Sequence, residues 1–473
     1  MRFIYGFVFV AIFANFGAAQ EIWSLDKCIQ VAIDKSMQMQ GSELSLRNAE
    51  IDYMQAVHTR YPNLSAGSSV GWNFGRTIDP TRNEFVTETF FNNSFSLNSN
   101  VTLFNGGRIN NSIAQSSSNI KASQKDLEQT KRDISLSVAS LYLNILFAKE
   151  NLQNANNQLA QTKNQLELLN KQIAVGNRPE NDRLDIEAQI ATNEQSITES
   201  NNNLVINILR LKQWLRISPE ALIDIVAPEN LKYGSDPELI TFDELFESAM
   251  RNQPSLHANE LRIKSAMLSQ KIAFANYLPS VGALANLRTN YSNKGVQVIG
   301  FTDDILYQDI IFNGTTQSIG FKQKIPDYQK SPYFDQFGDN LSYGVGVSLN
   351  VPIYNNLSAR AGVQKAKLST EQAQLNYDQT KETLKITVGQ ALADAKAAKS
   401  RMLATEKTKN AQTMVYNNAL KKFDSGSLHV FELTRLKTLM DVASTNHLIA
   451  KYDYIFKTNV LDFYLGKPIQ LTN

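Results

Sequence analysis

The sequence predicts an α+β membrane protein made of one unit written twice, each unit supplying two barrel strands and two long helices. Three observations carry this. Segments of the chain align with one another at two fixed shifts, four runs alternate apolar and polar residues strictly, and two stretches nearly free of Gly and Pro repeat apolar residues every seven positions.

Composition narrows the field first. Of 473 residues, 42% are hydrophobic and 19% charged, with a formal net charge of +2. The charged share falls below the usual quarter or so, and Asn, Gln, Ser and Thr fill the gap. Apolar content near normal excludes a charge-driven disordered chain, and the small net charge gives no global basic field for nucleic acid. The single cysteine, Cys28, excludes an intrachain disulfide, a CxxC redox site and a thiolate zinc site. His58, His257, His429 and His447 are scattered without metal-ligand spacing, so neither metal nor cofactor is expected.

Arg2 precedes an apolar run from Phe3 to Phe16, short for a bilayer crossing, and Gly17, Ala18 and Ala19 supply the small residues of a cleavage site. Residues 1–19 are therefore expected to be a signal peptide. Cys28 follows Leu25-Asp26-Lys27, which lacks the small residues of a lipidation site, so a buried thiol is expected there. No later stretch reaches the roughly 18 consecutive apolar residues of a transmembrane helix.

The duplication sets the organisation. Ser24-Leu25 with Ala32 aligns with Thr241-Phe242 with Ala249, and Tyr61-Pro62 with Leu278-Pro279, at a shift of 217. Leu103-Phe104-Asn105 aligns with Ile353-Tyr354-Asn355, Gly176 with Gly426, and Trp214-Leu215 with Tyr464-Leu465, at a shift of 250. The difference is an insertion between Pro279 and Ile353. A first repeat at 20–217, a linker at 218–240 punctuated by Pro219, Pro228 and Pro237, and a second repeat at 241–473 follow. The second repeat has a longer surface loop at 292–340, and two roles stay open for it: capping the outer mouth or binding an outside partner.

Four runs read as strands with two different faces. Leu64, Ala66, Val70 and Trp72 alternate with Ser65, Gly67, Ser69 and Gly71; Phe91, Phe95, Leu97 and Val101 alternate with Asn92, Ser94, Ser96 and Asn100. In the second copy Val281, Ala283, Ala285 and Leu287 alternate with Gly282, Asn286 and Arg288, broken by Leu284. Tyr343, Val345, Val347 and Leu349 alternate with Gly344, Gly346 and Ser348. Each run has the length of a tilted membrane strand, and a soluble sheet surface would carry more Lys and Glu than these polar faces do. Aromatics mark the ends: Tyr61, Phe104, Tyr277 and Tyr354 at one, Trp72, Phe74 and Tyr291 at the other, the places of a membrane girdle.

From Ile109 to Ile173, Ile145, Leu152, Leu159, Leu166 and Ile173 form one heptad line beside Leu127, Ile134, Leu141, Ala148 and Ala155. Leu384, Ala391 and Ala398, with Val388, Ala395 and Met402, repeat this in an Ala-rich seam from about Ala359 to Phe423. Each long helix turns at a glycine, Gly176 or Gly426, and runs back through a shorter one.

Four lipid-facing strands leave two open edges, and unpaired backbone groups are costly in hydrocarbon, so several copies must close one barrel. Eight strands would fill with side chains, whereas twelve strands faced with small Asn, Ser and Gly leave a water-filled bore; a trimer with four strands per chain is preferred.

The duplicated strand-strand-helix-helix plan, Tyr61-Pro62 and Leu278-Pro279 leading into the strands, and the exits Leu103-Phe104-Asn105-Gly106-Gly107 and Val351-Pro352-Ile353-Tyr354-Asn355 resemble the TolC family of outer-membrane efflux channels across essentially the whole mature chain. The resemblance implies a homotrimeric 12-stranded outer-membrane β-barrel continued by a long periplasmic α-helical coiled-coil barrel, with an equatorial collar from the linker and C-terminal regions. It implies an exit duct in outer-membrane lipid, docked by a periplasmic adaptor (membrane fusion protein) and fed by an inner-membrane transporter of RND, ABC or MFS type.

It also implies residue roles. The turns Val175-Gly176-Asn177 and Ser425-Gly426-Ser427 correspond to the adaptor-docking tips, and the acids six and nine positions after the glycine correspond to the periplasmic aperture. Those positions hold Asp182 and Asp185 in the first copy, but Glu432 and Arg435 in the second. Arg435 departs from the family pattern and puts a strongly cation-selective ring in doubt; a latch to Glu432 or to Asp185 of a neighbouring helix is the alternative. No P-loop, GxSxG elbow or HExxH helix occurs, so no enzyme is expected. The competing reading is a periplasmic coiled-coil adaptor or structural protein, which has no use for four girdled strands.

Overall fold

The computed structural model describes residues 21–78, 85–87, 89–226 and 233–467. The signal-peptide segment and Pro228 of the linker lie outside the described residues. In chain order the elements are β1 (Glu21–Trp23), α1 (Leu25–Lys35), α2 (Met37–His58), β2 (Asn63–Asn73), β3 (Thr77–Ile78), β4 (Phe85–Val86), β5 (Phe90–Asn105), α3 (Arg108–Ala174), α4 (Asp182–Leu215) and β6 (Ile223–Ile225). There follow α5 (Phe242–Asn252), α6 (Pro254–Phe274), β7 (Ser280–Ser292), β8 (Val296–Phe312), β9 (Thr315–Lys330), α7 (Tyr333–Asp339), β10 (Ser342–Asn350), α8 (Ser358–Asp424) and α9 (Val430–Tyr464). A shift of 217 residues carries α1 onto α5 at both ends, and a shift of 250 carries α3 onto α8 at both ends.

The chain divides into two compact units. One holds Glu50–Ser117 and Lys264–Thr370 and contains an antiparallel sheet in the order β10-β7-β5-β2. The two copies meet at its centre, where β5 pairs with β7. Register sorts the side chains by face: Leu64 opposes Ser99, Ala66 opposes Leu97, Trp72 opposes Phe91, Leu97 opposes Leu287, and Leu287 opposes Tyr343. The other face collects Gly67, Ser96, Asn98, Asn286, Gly344 and their like. Leu284 falls on this polar face, directly opposite Gly346, whose missing side chain leaves it room.

One irregularity repairs a conflict in the pattern. Strict alternation would send Phe104 to the polar face with Asn100 and Thr102, but a bulge between Thr102 and Phe104 pairs Phe104 with Val281 and returns it to the apolar face. β2 and β10 are the sheet's outer strands, so each presents an open edge within one chain. Residues 292–340, expected only as a loop, contain the long β8–β9 hairpin and α7. α7 covers the end of the apolar face: Phe337 packs tilted against Phe95 with ring centroids 4.9 Å apart, Tyr333 accepts a hydrogen bond from Asn93 through its hydroxyl (2.9 Å), and Thr289 donates to the Phe337 carbonyl (2.9 Å).

The other unit gathers the described parts of Met1–Ala49, Ser118–Ile263 and Glu371–Asn473 and is mostly helical. The Ser24 side chain caps α1, and Thr241 with Glu244 forms a full capping box on α5, so the two copies begin alike. One core packs Cys28, Ile134, Ile145, Leu146, Leu211, Leu215 and Ile455; a second packs Leu245, Leu256, Val388, Ala395 and Leu461. Cys28 is fully buried and unpaired, and burial pushes its thiol up to about 12. Within 218–240, expected as the linker and part of an equatorial collar, β6 pairs in parallel with β1, and Tyr142 donates to the Val226 carbonyl at 3.0 Å. The linker then lies on α9: Gly234 donates to Thr458 Oγ1 at 3.0 Å, and a Cβ at Gly234 would stand 2.5 Å from the Thr458 backbone.

The long-helix seam needs one correction. Ala148 and Ala155 are buried in heptad order as expected, with Leu169 two heptads on, but Leu152, Leu159, Leu166 and Ile173 are only half-buried. The inner row passes instead through Thr162 and Gln165, because both have polar partners across the interface: Asn193 of α4 donates to Thr162 Oγ1 at 2.8 Å, and Gln165 reaches the Tyr416 hydroxyl of α8.

Candidate functional site

The two helix turns are built alike. α3 ends with Gly176 at φ +78, its N–H bonding the Ile173 carbonyl while the Asn177 N–H bonds the Gln172 carbonyl, both at 2.9 Å. α8 ends with Gly426 at φ +81, its N–H bonding Phe423 at 3.0 Å while Ser427 bonds Lys422 at 2.9 Å. This paired closure needs a left-handed residue after the helix, which is why glycine stands in both turns. Val175 is largely exposed, and nothing lies within 4 Å of a Cβ added at either glycine.

Beneath the turns lies a small core of Leu169, Ile186, Tyr416, Ala419, Phe423, Val430 and Leu433, drawn from four helices. Arg178, whose role the sequence alone does not reveal, ties the two turns together. Its guanidinium lies over the Phe423 ring, 4.6 Å from the centroid, and donates to the carbonyls of Phe423 (3.3 Å) and Leu428 (2.8 Å). Further along α9, Lys437 is 1% exposed and donates to Asp441 at 2.6 Å. Burial pushes the Asp441 carboxyl up, and the lysine offsets part of that rise. Burial likewise pushes the Tyr416 hydroxyl up to about 12, with Asp441 and Asp424 adding to the shift.

The four aperture candidates separate into two sets. Asp182 and Asp185 occupy the first turn of α4, where the helix dipole favours acids; one Asp182 oxygen is buried without a hydrogen-bond partner, and Asp185 is exposed. Glu432 and Arg435 form a two-pronged pair on α9, Nε to Oε2 at 2.9 Å and Nη2 to Oε1 at 2.6 Å. That hydrogen bond holds the Glu432 carboxyl below its ordinary range and raises Arg435. Within one chain, no hydrogen bond or ion pair among the described residues joins the first set to the second.

On the sheet, Tyr61, Phe104, Tyr277 and Tyr354 are exposed near one end of the strands. At the other end Trp72, Phe91, Tyr291 and Tyr333 form a row across the strands with ring centroids 5.2, 6.1 and 4.5 Å apart, and Phe74 stands exposed beyond it. The apolar face between is open: Val345 is 88% and Leu349 67% exposed.

The sequence pattern of outer membrane efflux proteins matches residues 28–215 and 245–467, which takes in both copies. The chain belongs to the outer membrane efflux protein family. Solved structures with the same fold include CusC (TM-score 0.75, 17% identity, covering 94% of this chain and 92% of that one) and VceC from Vibrio cholerae (0.74, 14%, 94% and 97%). The CmeC outer membrane channel of Campylobacter jejuni is similar as well (0.72, 16%, 93% and 85%). A search of curated proteins finds no match. Among the efflux protein's described residues, no helix is long and apolar enough to cross a membrane.

Proposed function

We propose that three copies of this efflux protein close their sheets, β2 of one against β10 of the next, into a 12-stranded barrel that conducts cargo passively across the outer membrane. The observation that carries this is the sheet itself. One face is apolar and open, the other is lined with Asn, Ser and Gly, and among the described strands each outer strand has one edge unpaired. In hydrocarbon such edges must be paired, and a twelve-stranded ring with small polar residues inside keeps a wet bore.

The exposed aromatics Tyr61, Trp72, Phe74, Phe104, Tyr277 and Tyr354, with Tyr291, then form the membrane girdle. The helical unit extends into the periplasm, where the turns at 175–177 and 425–427 dock an adaptor and Asp182, Asp185, Glu432 and Arg435 surround the aperture. Energy comes from an inner-membrane transporter, and the chain performs no catalysis. Fractionation of native membranes followed by native mass measurement tests the reading: a detergent-extracted outer-membrane trimer is expected, and recovery as a soluble periplasmic monomer would sink it in favour of an adaptor.

A further inference from the structure

β8 and β9 form a two-stranded ribbon turned at Asn313 and Gly314, and among the described strands they pair only with each other. A lone ribbon is marginal in water, so one of this length needs a partner. Its charges are sorted by strand. β8 carries Asp303, Asp304 and Asp309 with no Lys or Arg, whereas β9 carries Lys322, Lys324 and Lys330 with one acid, Asp327. Among the described residues none of those three β8 acids and none of the three lysines forms an ion pair, although Asp303 and Lys324 are opposite each other in register.

The charges sort by face as well. Register places Leu306, Ile310, Ile319, Phe321 and Ile325 on one face, each between 37% and 53% exposed. Asp303, Asp309, Lys322 and Lys324 lie on the other beside Ile305, Tyr307 and Ile311, and Asp304 is the one charge between 302 and 325 on the first face.

We propose that the ribbons of three copies join edge to edge, β8 of one copy against β9 of the next, into a six-stranded ring with the first face inside. This rests on the trimer proposed above. Rotation about a threefold axis keeps β8 antiparallel to the neighbouring β9, and head-to-tail contacts of this kind close without leaving a free edge. Acidic strand then meets basic strand at every junction, while β8–β8 and β9–β9 contacts set like charges together. Pro326 lacks an N–H and ends the joint on the side of the sheet, so pairing runs over 302–312 and 315–325. Side chains already fill barrels of about eight strands, so a six-stranded ring is a plugged cap and not a second bore.

Interchain crosslinking tests this in the full-length protein. Asp303→Cys in one tagged chain and Lys324→Cys in a differently tagged chain are co-expressed, trimers carrying both tags are isolated, and the thiols are oxidised. Neither chain can bridge its own hairpin, and buried Cys28 serves as the background in unaltered trimers. A disulfide-linked dimer bearing both tags is expected. Its yield should fall at least about twofold on adding Lys322→Glu, and recover with Asp309→Lys, which shares its face within the joint. Trimers without the crosslink, as expected if the ribbon lies on lipid or on another protein, overturn the ring. A yield indifferent to the charge reversals overturns the charge-sorted joint, and recovery of monomers alone overturns both the trimer and the ring.

Discussion

Arg178 lies over the ring of Phe423, joining the turn after α3 to the end of α8 by one cation–π contact and two hydrogen bonds. The two tips of one chain are thus a single mechanical piece.

Removing that clasp should loosen the tip without unfolding the chain. Arg178→Ala is expected to cost about 1–3 kcal/mol locally, combining a cation–π contact with hydrogen bonds from a charged donor. Faster hydrogen exchange at the amides of 423–428 is the readout, and Arg178→Lys should recover part of the protection because the charge stays over the ring while the planar fork is lost.

Neutralising Glu432→Gln together with Arg435→Gln should raise single-channel conductance in planar bilayers if the pair narrows the aperture. Unchanged conductance and ion selectivity would reject that role for both residues.

The tip holds two carboxylates whose pH dependence has opposite sign. Glu432 sits below its ordinary 4.5, so its contribution is present above that value and fades as pH falls through the lowered one. Asp441 sits above its ordinary 3.8, so its contribution is greatest below that value and fades as pH rises through the raised one. Lys437→Met should move the second window to higher pH and cost about 3–5 kcal/mol by stranding a buried carboxylate, while Lys437→Met with Asp441→Leu should be much milder. Thermal unfolding of the detergent-solubilised protein against pH measures both.

Val345 and Ser348 stand three residues apart on opposite faces of β10. Val345→Arg should destabilise membrane insertion by about 2–4 kcal/mol near the bilayer midplane, read as a lower unfolding midpoint in liposomes. Ser348→Arg should leave folding intact and change conductance, since it faces the polar side.

The features legible in the sequence are those whose signal is local. Alternation from Leu64 to Trp72 and the glycines at 176 and 426 state their geometry within a few residues of themselves. The heptad spacing of Ala148 and Ala155 is equally local, yet it could not show that Thr162 and Gln165 continue the row, because their partners Asn193 and Tyr416 come from other helices. The role of Arg178 is not legible in the sequence for the same reason: its ring and carbonyls lie some 250 residues away. The pairing of β1 with β6 is of this kind too, three residues against three across most of a repeat. Phe104 shows a subtler failure, since its face is decided by a bulge that alternation counting cannot see.

α3 and α8 each contain 67 residues. One residue inserted into either would turn everything beyond it by about 100° and advance it about 1.5 Å, carrying Arg178 off Phe423. Changes in length are therefore tolerable there only as matched pairs, one in each half of the gene. The unmatched gain between the two halves has collected where it does no such harm, in the ribbon and short helix of residues 292–340, outside both long helices.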